Sequence, residues 1–112
     1  MKYTNNKYKI IMKRLRFEWG EEKAKINIGK HGISFPEDAT AFLDGGGLVI
    51  DDVDHSEKEE RYVLIGCSAR GRMIVVCYCV KEEEVETIVR IISARKATKT
   101  ELSHYRRWGK EA

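Results

Sequence analysis

The apolar positions of the chain change period twice. Leu15, Phe17 and Trp19 alternate with charged residues, the period-two mark of a strand over Leu15 to Trp19. From Glu21 to His31 the pattern becomes helical. Ala24, Ile28 and His31 form its apolar line, while Lys23, Asn27 and Lys30 form a separate polar one. Gly32 is the residue type that closes a helix in the left-handed conformation. Ser34 and Glu37 have capping-box spacing and Pro36 fits a first turn, so a second helix starts at Ser34. Its buried face is expected to be Phe35, Ala39, Phe42 and Leu43, and Gly45-Gly46-Gly47 breaks it.

The remainder, as far as Lys96, reads as strands. Leu48 to Ile50 is short. Arg61 to Cys67 and Arg72 to Val80 are β-rich runs joined by the turn Ser68-Ala69-Arg70-Gly71. Lys81 to Glu84 is too charged for a core and turns the chain again. Val85 to Arg95 is the last strand, apolar enough to be buried on both faces. Thr98 and Glu101 form another capping box. They open a helix with Leu102, Tyr105 and Trp108 on one side. The predicted order is β-α-α-β-β-β-β-α. Short turns between consecutive strands predict a small antiparallel sheet packed with helices, an α+β fold.

Charge sharpens the boundaries. The chain has 112 residues and a formal charge of +3. Lys2, Lys7, Lys9, Lys13 and Arg14 face no acid, so residues 1–14 read as a flexible basic tail, with Met12 a candidate start. Without those five cations the domain over 15–112 is slightly acidic, which excludes a uniformly basic surface as the basis of any nucleic-acid binding. A 42% apolar content excludes general disorder. Apolar runs such as Met73 to Val80 are too short to span a membrane, and no apolar segment follows the basic N-terminus as in a signal peptide. Three clustered cysteines imply no disulfide framework, so a cytoplasmic location is expected.

Few residues remain for chemistry. Cys67, Cys77 and Cys79 lack the knuckle spacing of structural zinc sites and read as buried thiols. The acidic stretch Asp51 to Glu60, with His55, lacks the spacing of a calcium loop and reads as a solvated loop or a surface for a basic partner. No nucleophile elbow, phosphate loop or zinc-protease motif is present, and no metal or cofactor is called for. What stands out is arginine, the side chain suited to bidentate phosphate recognition. Arg70 and Arg72 flank a hairpin tip. Arg90, Arg95 and Lys96 lie on or after the last strand, and Arg90 and Arg95 share a face only if a bulge or strand end intervenes. Ion pairs with the acidic loop are the alternative. His31 continues the apolar line of its helix, as a packed histidine would, yet sits in the last turn, where the helix dipole favours imidazolium.

The ordered segments Phe17-Glu18-Trp19, Lys23, Asn27-Ile28-Gly29-Lys30-His31-Gly32-Ile33-Ser34-Phe35, Asp54-His55-Ser56-Glu57, Glu60-Arg61, Arg70-Gly71-Arg72 and Arg90 to Thr98 closely resemble the BrnT family of type II toxins, from about Leu15 to Tyr105. The resemblance implies a RelE-like fold. It also implies a toxin that cleaves RNA and inhibits translation, neutralised by a DNA-binding BrnA-like antitoxin in a heterotetramer containing a toxin dimer. For metal-independent cleavage through the substrate 2′-OH, the expected catalytic residues are Arg72 and Arg95 on the phosphate and His31 as acid or base. Lys23, Arg70, Arg90 and Lys96 are the expected RNA grips. Trp19 is expected in the core more than against a base. A catalytically inactive RNA-binding or protein-interaction module is the alternative.

Overall fold

The computed structural model describes residues 14–51 and 61–109. The expected tail before Arg14, and the acidic stretch after Asp51 with its His55, lie outside them. Eight elements follow in the predicted order: β1 (Arg14–Glu18), α1 (Glu21–His31), α2 (Phe35–Ala41), β2 (Leu48–Asp51), β3 (Arg61–Cys67), β4 (Met73–Glu82), β5 (Glu86–Lys96) and α3 (Lys99–Trp108). The five strands form one sheet ordered β1-β5-β4-β3-β2. β2 to β5 make the expected antiparallel meander, but β1 joins β5 in parallel, so the sheet is mixed. The two-helix connection from β1 allows the first strand to return alongside the last.

The helix boundaries follow the caps. Gly32 takes the left-handed conformation (φ 69°) and its N–H bonds the Ile28 carbonyl. Ser34 Oγ accepts from Glu37 N, and Thr98 and Glu101 complete a reciprocal capping box.

α1 and α2 cover one face of the sheet. Its core joins Ile33, Phe35 and Ala41 to Leu64, Ile74, Val76, Tyr78, Val89, Ile91 and Ala94. Phe42 bridges Phe17 (ring centroids 5.2 Å) and Tyr78 (4.8 Å). Trp19 sets its ring edge-on to Phe35 at 6.0 Å, so it packs against the core. Two details differ from the pattern. α2 points Phe35, Asp38 and Ala41 inward, and Leu43 is 82% exposed. In α1, Ile28 and His31 are exposed and Asn27 is buried.

Asn27 is buried because of the strand lengths. β1 stops at the pairing of Glu18 with Arg90, which leaves the outer edge of β5 open beyond that point. Asn27 Oδ1 accepts from Ala94 N on that edge (3.1 Å), and its Nδ2 donates to the Ile33 carbonyl (3.1 Å). One side chain satisfies two buried backbone groups that would otherwise be orphaned.

The opposite face of the sheet carries Ile65, Val75, Cys77 and Cys79. α3 lies against β3, and Arg95 reaches it through Glu101. Tyr105 Oη donates to Asp44 Oδ2, which also accepts from Cys67 N, and Gly109 packs on the Gly46 carbonyl. The three cysteines form no disulfide among the described residues; Cys79 is buried and the other two are half-buried.

Candidate nucleic-acid interface

The β3–β4 turn places the first group of cations. Gly71 adopts φ 80°, and Ser68 Oγ accepts from the backbone of Arg70 and Arg72. This closes the hairpin over the start of α2. Arg72 Nε donates to Glu37 Oε2 (2.9 Å) and its Nη2 to Glu37 Oε1. The same Nη2 reaches the carbonyl of Gly32 at the end of α1 (3.2 Å). Ser68 donates to Glu37 Oε2 at 2.7 Å. Held by these donors, Glu37 stays ionised down to about 2 although its burial works against it. Arg70 is exposed, 3.9 Å from the same carboxylate. Lys96 lies opposite Ile74 in the ladder, on the same face as Arg72, and is exposed.

Asp38, next in sequence, meets the reverse conditions. It is fully buried and neither carboxyl oxygen has a hydrogen-bond partner among the described residues. Burial and the neighbouring Glu37 charge push its carboxyl up to about 8, against the pull of Arg72.

A second group lines a shallow groove between α1 and the open edge of β5. Lys23 comes from the first turn of α1 and Lys30 and His31 from its last, and Ile92 and Ser93 come from β5. His31 is exposed, which removes the packed-histidine reading.

The third group sits on the other face. Cys77 pairs with Ser93 and Tyr78 with Ile91, so Ile92 has no partner on β4. This bulge cancels the parity difference: Arg90 opposite Cys79 and Arg95 opposite Val75 project from one face. Arg90 Nη1 bonds Glu18 Oε2 (3.1 Å). Arg95 holds both oxygens of Glu101 at 2.8 Å, which draws the Glu101 carboxyl down to about 2. The hydrogen bond to Asp44 pushes the Tyr105 phenol up to about 12. Among the described residues the acidic partners of these arginines are Glu18 and Glu101; the acidic loop, the alternative partner, lies outside the described residues.

Arg72 and Arg95 therefore stand on opposite faces near one end of the sheet, and the fold does not converge them on a single phosphate. It does tie Arg72 to the carbonyl of Gly32, the residue that follows His31 in the chain. Sequence reasoning missed Glu37, Glu101 and Asn27 as organisers. The two glutamates were legible only as cap residues, and Asn27 only as part of a polar line.

Comparison with known proteins decides the family. The family model described as "Ribonuclease toxin, BrnT, of type II toxin-antitoxin system" matches residues 19–101, most of the chain. The chain belongs to the BrnT toxin family. The 1.1 Å crystal structure of the Brucella abortus ribonuclease toxin BrnT superposes with a TM-score of 0.54 at 25% identity, covering 77% of this chain and 99% of that one. No curated protein matches the chain. The BrnT fold is thus shared, with its α+β architecture and sheet. Membership makes this a type II toxin of a ribonuclease family, with RNA and an antitoxin as the implied substrate and partner. Among the described residues, no helix of this BrnT-family chain is long and apolar enough to cross a membrane.

Proposed function

We propose that the chain is a metal-independent endoribonuclease that directs the 2′-OH of its substrate at the adjacent phosphate, giving a 2′,3′-cyclic phosphate and a free 5′-OH. The observation that carries this reading is Arg72 anchored on the carbonyl of Gly32, one residue after the exposed His31, in a family of ribonuclease toxins. Glu37 and Gly32 occupy Arg72 Nε and Nη2, leaving Nη1 for a phosphoryl oxygen. His31 moves the proton of the attacking hydroxyl or of the leaving oxygen. A guanidinium fixed before substrate arrives stabilises the phosphorane charge without reorganising.

Lys23, Arg70 and Lys96 flank this corner and contact neighbouring phosphates. Arg95, with Arg90, holds the RNA where it passes to the other face, so its phosphate is not the one under attack. Cleavage inhibits translation in the cytoplasm. A BrnA-like DNA-binding antitoxin neutralises the toxin in a heterotetramer with two toxin chains.

The test is incubation of the purified chain with RNA in EDTA, followed by end analysis. Cyclic-phosphate ends are expected from the wild type and are lost in His31→Ala and Arg72→Lys while both variants stay folded at the assay temperature. Full cleavage by both variants overturns the assignment. RNA binding without any cleavage would instead support an inactive module, a reading favoured by the bidentate glutamate already held by each of Arg72 and Arg95.

A further inference from the structure

The groove between α1 and β5 has a composition that phosphate binding alone does not explain. Lys23 and Lys30 supply the cations of its lining, with His31 beside them, but Ile26 and Ile92 line it too, and Ile26 is 53% exposed. Isoleucine at such a position adds nothing to phosphate binding and leaves apolar surface in water. Ile92 is there because of the bulge. It is the one residue of β5 passed over in the register with β4, and bulges re-aim side chains beside functional sites. The groove is shallow and open, with a cavity volume of about 160 Å³; that is below the roughly 300 Å³ at which whole-ligand pockets begin, and suits a single flat ring. Two aliphatic side chains flanked by two lysines match a nucleotide, whose base has flat apolar faces and whose links are anionic.

Asn27 also lines this groove, and an asparagine there would ordinarily read base edges. Its amide is already committed, Oδ1 to Ala94 N and Nδ2 to the Ile33 carbonyl. Turning it toward a ligand would orphan both backbone groups.

We propose that the α1–β5 groove is a nucleobase subsite, which seats one base of the RNA between Ile26 and Ile92 with Lys23 and Lys30 on the flanking phosphates. It sorts bases by size and stacking, not by hydrogen bonding, so the sequence preference of the toxin is broad. This inference rests on the ribonuclease reading for its substrate class, but its readout is binding, not cleavage.

The experiment uses the full chain and a fluorescent six-nucleotide 2′-O-methyl RNA, which cannot be cut, with one abasic unit moved through every position. Removing the seated base is expected to weaken binding roughly tenfold at one position and little elsewhere. Ile26→Ala, an exposed and fold-neutral change, should weaken binding of the intact oligonucleotide by a similar factor. It should add nothing further to the loss at that position, because both changes remove the same contact. Losses that multiply, or equal affinity for every abasic oligonucleotide, overturn the subsite. Ile26-dependent binding by a chain that never cleaves RNA would overturn the ribonuclease reading and leave the subsite standing. No RNA binding at all overturns both.

Discussion

Glu37 and Asp38 are consecutive, both buried, and driven to opposite charge states. The Glu37 carboxylate is held near 2 by Arg72 and Ser68, while Asp38 is raised to about 8 by burial and by that adjacent charge. The difference lies in partners. Arg72 and Ser68 donate to the Glu37 carboxylate, and among the described residues no donor reaches either oxygen of Asp38. Two neighbouring carboxyls in one apolar setting divide the roles, one ionised and one neutral.

Asp38 makes stability depend on alkaline pH. Its folded value lies above the ordinary 3.8, so the folded state binds the proton more tightly than the unfolded chain. The neutral carboxyl therefore stabilises fully below about pH 4, and this contribution is lost as pH rises through about 8, a change on the order of a few kcal/mol. Asp38→Asn is expected to melt above the wild type at pH 9 and near it at pH 4. Parallel melting curves across that range would show that Asp38 is not neutral in the fold.

Arg72 has a structural task besides any catalytic one. Truncating it strands the buried Glu37 carboxylate, and an uncompensated buried charge is strongly destabilising. Arg72→Ala is expected to lower the melting temperature by several degrees, enough to confound a toxicity assay. Arg72→Lys keeps the charge, loses the fork geometry, and should retain most of the stability while losing growth arrest. Urea denaturation of both variants measures the first claim, and induction in a host cell the second.

Asn27→Ala leaves Ala94 N and the Ile33 carbonyl unpaired in a dry site and should cost about 2–4 kcal/mol. Asn27→Asp should be damaging too, because a carboxylate cannot donate to Ile33. Chemical denaturation gives the size. Amide exchange at Ala94, slow in the wild type and fast in the alanine variant, gives the location.

Arg90 and Arg95 are expected to act as independent charges on one face. Each alanine variant should lower the slope of log affinity against log salt by about 0.7, the counterion release per phosphate contact of a single strand. Unchanged slopes in both would remove this face from the RNA path. Arg95→Ala also frees the first turn of α3 from β5, at a cost of about 0.5–1 kcal/mol, because Arg95 is nearly half exposed.

The sequence alone determined the element order, the caps and the meander, because these depend on neighbours within a few residues. Ser34 with Glu37, Thr98 with Glu101, and Gly32 after His31 each specify a local backbone event, and each occurs where the spacing placed it. It also carried the family, through ordered motifs that lie within the matched span. What it did not determine was everything set by pairing across the chain. The parallel return of β1 and its early stop leave an open edge on β5, and only that edge explains a buried asparagine on the helix side read as solvent-facing. A single unpaired residue, Ile92, reverses the parity of Arg90 and Arg95, and no local pattern marks a bulge inside an apolar strand. Arginine at positions 72 and 95 was legible as chemistry. That the two stand on opposite faces, each held by its own glutamate, was decided by the register of the sheet and by the helix packed on each side.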